Sequence, residues 1–277
     1  MLGIVTDSIA CLPRELVERY GVRVVPVRIV RGDRIYRDGI DVTAEEAFAW
    51  LDAGEIVTTS QPAVGTFVEV YQDLVGRVDG IVSIHVSSGV TGVYQAAVAA
   101  ASMVTGAPIV VIDSRAATMA EGFLVLEAAR LAERGADLAT VVQRVEALRP
   151  QLRFFAVLET VTYLVRSGRA PWLAQLAVDV FQIKPILTLQ EGKIVALERV
   201  RTRRRAIDAM LRRMERDVGG RPVHVAVLEA GAREEAEQLA QEVASRLHVV
   251  EQYITPFTAA MALNTGPGLL GLAYYAE

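Results

Sequence analysis

Three apolar runs in the first half of the chain each end in a polar cluster, and this alternation constrains the fold more than any other feature. Residues 2–5 run into Thr6-Asp7-Ser8, residues 81–84 into Ser87-Ser88, and residues 109–112 into Asp113-Ser114. Between them lie stretches with apolar residues at helical spacing. Strand-length apolar runs alternating with helical patterns predict βαβ units and a mainly parallel sheet flanked by helices. In an open α/β sheet, ligands bind outside the carboxyl ends of the strands. The three clusters are therefore candidates to line one edge.

The remaining pattern fills in around this frame. Pro13 starts a helix containing Leu16, Val17 and Tyr20, and Gly21 ends it. Residues 22–30 read as one second strand, and Arg31-Gly32-Asp33 as a turn rather than an adhesion signal. Thr43 and Glu46 form a capping box before Ala47, Phe48 and Leu51. Helices are predicted after Thr58-Thr59-Ser60-Gln61-Pro62, over 94–103, and twice more between Ser114 and Pro150. The pattern changes near Pro150. A strand at 154–158 precedes a helical stretch leading to Ser167-Gly168-Arg169. Residues 185–189 and 194–197 form a hairpin around Glu191-Gly192, an Arg-rich helix covers 202–216, and residues 223–254 make a further βαβ-like unit. This places an N-terminal α/β domain at 1–150 and a C-terminal mixed α/β domain at 151–277. No long linker separates them, so the halves are expected to pack closely.

Composition narrows the function classes. With 277 residues, 52% of them hydrophobic, the chain can bury a substantial core in one large domain or two ordinary ones. A net charge of -4 implies no general affinity for polyanions, so no nucleic-acid partner is expected. Of the 29 basic side chains only Lys184 and Lys193 are lysines. Cys11 is the only cysteine, which excludes intramolecular disulfides and thiolate metal clusters and fits a reducing compartment. The N-terminus shows no basic region followed by an apolar stretch, so a cytoplasmic location is expected. Residues 80–112 carry no charged side chain, but Gly, Ser, Thr and Pro break the run into strand, loop, helix and strand rather than a membrane span.

Three loops carry the candidate chemistry. Thr58-Thr59-Ser60-Gln61-Pro62 and Ser87-Ser88-Gly89-Val90-Thr91-Gly92 are rich in hydroxyls and each leads into a helix, while Asn264-Thr265-Gly266-Pro267-Gly268 is rich in glycine. Hydroxyls and free N–H groups at helix starts can hold a carboxylate or phosphate. They can equally satisfy their own helix amides, and by composition alone capping is the commoner use. Gly89 and Gly92 would let the backbone approach a ligand. Arg169 and Arg201 are candidate counter-ions. Arg201, Arg204, Arg205, Arg212 and Arg216 fall near one helical face, a solvated stripe or a dock for an acidic partner. His85, His224 and His248 show no metal-binding spacing, and His85 reads as a satisfied strand-end histidine. Cys11 reads as a small buried residue. No nucleophile–base pair, phosphate loop or dinucleotide fingerprint is visible, so no catalytic residue is assigned.

Taken in order, these segments resemble the DegV family. The matching stretches are Val5-Thr6-Asp7-Ser8 with Leu12-Pro13, Thr59-Ser60-Gln61-Pro62, and Ser87 through Gln95. They continue with Val111-Ile112-Asp113-Ser114, Ser167-Gly168-Arg169, Ile183 through Leu187, Val200-Arg201-Thr202-Arg203, and Thr265-Gly266-Pro267-Gly268. They span nearly the whole chain. The resemblance implies a two-domain α/β protein that encloses one long-chain fatty acid such as palmitate at the domain interface, with the tail in an apolar tunnel and the carboxylate in a polar cleft between the domains. It implies a fatty-acid-binding subunit that presents the carboxylate to a separate ATP-dependent kinase, which makes acyl phosphate. It needs no metal and no cofactor besides the bound acid, and peripheral membrane contact would serve lipid exchange. Carried over by motif, Thr59 and Thr91 hydrogen-bond the carboxylate, with Ser60, Ser88, Gly92 and Asn264 in the same site. Arg169 and Arg201 lie near the headgroup or face the partner. The family usually has His where this chain has Asn264, which can donate a hydrogen bond but cannot become a cation. Burying an acyl chain gains roughly 0.8 kcal/mol per CH₂. Two alternatives are a lipid sensor or transport protein without a kinase partner, and a hydrolase or phosphotransferase using the same cleft.

Overall fold

The computed structural model describes residues 1–175 and 183–277. Its N-terminal half is built on a four-stranded parallel sheet in the order β2-β1-β6-β7. These strands are β1 Leu2–Asp7, β2 Arg23–Val25, β6 Gly80–His85 and β7 Ile109–Asp113. Every residue of β6 is buried, as expected of a strand covered on both faces. The flanking helices are α1 Arg14–Tyr20, α3 Val64–Leu74, α4 Val93–Ala101, α5 Met119–Glu133 and α6 Leu138–Leu148. The parallel α/β expectation thus holds, and the uncharged stretch 80–112 is β6, a loop, α4 and β7. No helix among the described residues is long and apolar enough to cross a membrane.

Residues 22–30 do not form one strand. Pro26 interrupts the run, having no N–H to give a ladder and a fixed φ. The chain leaves the parallel sheet after β2 and enters a second, antiparallel sheet in the order β4-β3-β5. Its strands are β3 Arg28–Arg31, β4 Arg34–Arg37 and β5 Val57–Ser60. Gly32-Asp33 is the hairpin turn between β3 and β4, with Gly32 at φ +56°. Thr58, Thr59 and Ser60 therefore lie on an edge strand paired to β3, not in a helix-opening loop. Between β4 and β5 runs α2 Ala44–Asp52, started by the expected capping box: the Glu46 N–H donates to Thr43 Oγ1 at 3.2 Å, and the Thr43 N–H to the Glu46 carboxylate at 2.8 Å.

The C-terminal half is a six-stranded mixed sheet in the order β10-β9-β8-β13-β11-β12. It comprises β8 Arg153–Val157, β9 Lys184–Gln190, β10 Lys193–Val200, β11 Val223–Ala230, β12 Val249–Pro256 and β13 Leu269–Ala276. The sequence reading did not anticipate β13. All eight of its residues are buried, and it is a central strand, antiparallel to both β8 and β11. Alternate residues divide its two faces. Leu270, Leu272 and Tyr274 pack under α8 Arg203–Val218 and α9 Arg233–Arg246, while Leu269, Ala273 and Tyr275 join the core shared with α5. Helix α5 is thus packed between the two large sheets, in a hydrophobic cluster that draws on both halves. Its Arg130 makes a bidentate pair with Glu251 of β12, at 3.0 and 2.6 Å.

Two short helices complete the parts that build the site. These are α7 Thr162–Arg166 and α10 Ala259–Thr265. Asn264 and Thr265 therefore belong to a helix, and the glycine-rich loop begins only at Gly266, whose φ of +73° ends it. Asp38, next to β4, reaches across to α10, and its carboxylate accepts the Ala260 N–H at 2.8 Å. An acid from the N-terminal half thus caps a helix of the C-terminal half.

Candidate functional site

A cavity lies between the two halves, lined on one side by Ile9, Val27, Val86 and Ala117 and on the other by Phe154, Leu158, Leu164, Leu187, Phe257 and Leu269. Its wall is apolar except where Thr59, Ser60, Thr91, Asn264 and Arg169 gather and at a few further threonines.

This polar cluster is assembled from four elements. The side chains of β5 alternate, so Thr59 sits inward at the register of buried Ile29 while Thr58 and Ser60 are exposed. Thr91 precedes α4, whose N-cap is Gly92 and makes no side-chain cap bond. Arg169 follows α7 and the turn at Gly168, and Asn264 sits in the last turn of α10. Gly266 packs against the Tyr163 ring of α7 where a Cβ would collide with it, which sets α10 and α7 side by side.

The guanidinium of Arg169 donates to Asn264 Oδ1 at 2.8 Å, to Thr59 Oγ1 at 2.9 Å and to the Ser167 carbonyl at 3.3 Å. Asn264 Nδ2 donates to the Ala260 carbonyl at 2.7 Å and weakly to Thr59 Oγ1 at 3.4 Å. Thr59 Oγ1 thus accepts, and its own O–H is left to donate into the cavity. Every one of these described partners of Arg169 is neutral. Burial alone lowers its pKa, with no carboxylate among the described residues to offset it, although arginine keeps its charge at such sites. A half-buried cation with no described anion beside it, at the polar end of an apolar cavity, is suited to receive one.

Of the residues singled out in the sequence, Thr59, Ser60, Thr91, Asn264 and Arg169 line the cavity, and Thr59, Asn264 and Arg169 are hydrogen-bonded to one another. The structure does not bring Ser88, Gly92 or Arg201 there. The Ser88 hydroxyl donates to Asp113 at 2.5 Å. Gly92 gives room to the side chain of Gln61, which a Cβ would displace. Arg201 is exposed just before α8. Gly89 makes room for protein rather than for a ligand: a Cβ there would lie 2.5 Å from the Gly192 carbonyl, at the β9–β10 turn. That carbonyl also accepts the Ser87 hydroxyl at 2.8 Å, so the second loop docks one half on the other. Neither helix after the two hydroxyl loops is capped by a side chain, so the capping use of these hydroxyls does not apply.

The structure also shows a chain of polar groups that the sequence reading missed. His85 Nδ1 lies 3.0 Å from Asp7 Oδ2, its Nε2 lies 2.6 Å from Ser83 Oγ, and Ser83 Oγ lies 2.8 Å from the Tyr71 hydroxyl. The order Ser–His–Asp matches a nucleophile, base and orienting acid. All four side chains are fully buried and none lines the cavity, so a substrate cannot reach Ser83. Asp7 also accepts the N–H groups of Ile9 and Val86, which ties β1 to β6. Period-2 spacing of Ser83 and His85 within one strand was the available signal; the contact with Asp7, 78 residues away, was not. Cys11 is buried, and burial pushes its thiol far up, away from a reactive thiolate. Among the described residues no group of His, Cys, Asp and Glu could hold a metal ion.

Comparison with known proteins agrees with the geometry. A family model described as "Uncharacterised protein, DegV family" matches residues 1–277. The chain belongs to the DegV family. It is 31% identical over 276 residues to protein DegV of Bacillus subtilis, covering 99% of this chain and 98% of that one. Among solved structures, a DegV-family protein of Thermus thermophilus described as binding fatty acid superimposes with a TM-score of 0.94 at 34% identity, covering 100% of this chain and 99% of the other. The B. subtilis DegV structure, described as a fatty acid binding protein, gives 0.92 at 31% identity, covering 100% and 99%. The two-domain DegV architecture and the mixed α/β class are therefore those of this chain.

Proposed function

We propose that this DegV-family chain binds one long-chain fatty acid, with the tail in the apolar cavity and the carboxylate against Thr59, Thr91, Asn264 and Arg169. The observation that carries this reading is Arg169, a half-buried cation with only neutral described partners at the polar end of an apolar cavity. Relatives described as fatty-acid-binding proteins support it. The energetics suit it too. Each methylene buried contributes roughly 0.8 kcal/mol, and the carboxylate receives a charge-assisted bond from Arg169 together with the Thr59 and Thr91 hydroxyls.

The chain acts as a binding protein, and a separate ATP-dependent kinase phosphorylates the carboxylate it presents. Supporting this, a second cleft shares Thr59, Arg169 and Asn264 with the cavity and is bordered by Ile56, Thr58, Tyr163 and Arg166. A partner entering there would meet the carboxylate while the tail stays covered. A single buried cysteine is consistent with work in the cytoplasm.

Native mass spectrometry of gently purified protein, followed by lipid extraction, tests the first step. A co-purifying acyl species, or uptake of one equivalent of palmitate or oleate, is expected. No bound acyl species together with no uptake overturns the reading. Acyl phosphate formed only when kinase, ATP and loaded protein are combined tests the second step, and turnover by the isolated chain would replace it with an enzymatic one.

A further inference from the structure

Thr118 is placed at odds with its local sequence. Thr118-Met119-Ala120-Glu121 opens the 15-residue helix α5 and has the spacing of a capping box, in which Thr118 would hold an N–H of the first turn and Glu121 would reach back. Neither half forms. Thr118 has φ +61° and ψ −155°, a conformation that residues other than glycine rarely adopt, and its side chain makes no cap bond. The Glu121 carboxylate accepts instead from the Thr6 hydroxyl at 3.1 Å. Thr118 is wholly buried, its Oγ1 has no hydrogen-bond partner among the described residues, and it lines the apolar cavity. The helix end it should cap is buried as well, at Met119, Ala120 and Glu121.

A buried hydroxyl left unpaired is unfavourable, and a helix start leaves N–H groups over. Both needs are met by one acceptor oxygen delivered from inside the cavity. Water could fill such a place in an empty protein, but a saturated acyl chain running past it would displace the water without replacing its bonds. On the reading that the cavity holds a fatty acid, we infer that Thr118 and the start of α5 form a second polar subsite, which receives an oxygen function carried on the acyl chain away from the carboxylate. The ligand class is an oxygenated long-chain fatty acid, a hydroxy or keto acid. Thr118 donates its O–H to the ligand oxygen, and the positive end of α5 favours an acceptor there. Among the described residues no other wholly buried side chain on the cavity wall leaves a polar atom unpaired, so the preference belongs to one position along the chain.

The test is a binding series on the full-length protein with stearate and with hydroxystearates bearing the hydroxyl at successive carbons. In the wild type, most positions should weaken binding relative to stearate by 10-fold or more, while one position binds at least as tightly as stearate. Thr118→Val, which keeps the β-branched shape and removes the hydroxyl, should weaken that one acid by about 10-fold relative to stearate. Thr118→Ser should restore the preference. A profile in which every hydroxyl position is equally penalised in the wild type overturns the subsite without any variant. So does a preference unchanged in a folded Thr118→Val. In both cases stearate still binds, so the fatty-acid reading stands. Failure of stearate and all hydroxystearates to bind overturns that reading and this one with it.

Discussion

Two polar networks in this protein use similar side chains to opposite ends. In the chain Asp7–His85–Ser83–Tyr71 every group is buried and every link is closed within the protein, so the network ties β1 to β6 and offers nothing to a ligand. In the triangle of Thr59, Arg169 and Asn264 the side chains are half-buried, come from both halves of the molecule, and enclose a cation whose described partners are all neutral. Residue types alone would rank the first as a hydrolytic triad and the second as an ordinary polar contact. Access and unmet bonding capacity reverse that order.

The contrast can be broken most forcefully at Asp7. Asp7→Ala removes the acceptor of His85, Ile9 and Val86 at once and should cost about 3–5 kcal/mol of stability. Urea denaturation measures it. A loss under about 1 kcal/mol would mean that this network is not what holds β1 to β6.

Arg169→Ala should do the reverse. Palmitate affinity is expected to fall roughly 10- to 100-fold, in keeping with the 1.5–3 kcal/mol of a hydrogen bond to a charged group. Because the cation has no described anionic partner, thermal stability of the unliganded protein should hold or rise slightly. A protein that unfolds instead would make Arg169 a structural residue like Asp7.

Thr59→Val and Thr91→Val each remove one donor and should weaken binding by about 0.5–1.5 kcal/mol, or roughly 2- to 10-fold, by calorimetric titration. Unchanged affinity in both folded variants would take these hydroxyls out of the headgroup site.

The smallest effect belongs to a third network at the far end of the six-stranded sheet. His224 lies between Glu251 at 2.7 Å and Glu277 at 3.0 Å. Burial pulls its pKa down, but the two carboxylates outweigh burial and hold it above its ordinary value of 6.5. A raised folded pKa means that its contribution is complete below about pH 6.5 and is lost as pH climbs through the folded value. Stability of the wild type should therefore fall over that window, and His224→Gln should flatten the fall. An identical slope in the variant would assign the pH dependence to other groups.

Much of this fold was legible because it rests on local signals. Thr43 and Glu46 announce α2, Gly21 ends α1, and Glu191-Gly192 with both φ angles positive turns β9 into β10. The misses fall where local signals are silent. Strand β13 is apolar at all but one position, Gly271, so it shows no period, and Pro26 hides a change of sheet inside one apolar run. The site was legible in part. Hydroxyls and arginines could be nominated from residue type and family resemblance, but on paper Ser88 offers the same hydroxyl as Thr59 and Thr91, and Gly92 offers backbone access to a ligand. Ser88 is hydrogen-bonded to Asp113, and the space at Gly92 is filled by Gln61.

By itself, the order of residues determined the α/β alternation, the capping box of α2, the hairpin turns and the family, because each depends on neighbours a few positions apart or on motifs in series. Tertiary structure alone decided which polar groups face the cavity. The bonds that set Arg169 against Thr59 and Asn264 span 110 and 95 residues. Whether a hydroxyl is closed off or left open to a ligand depends on what packs beside it, and no short stretch of chain contains that information.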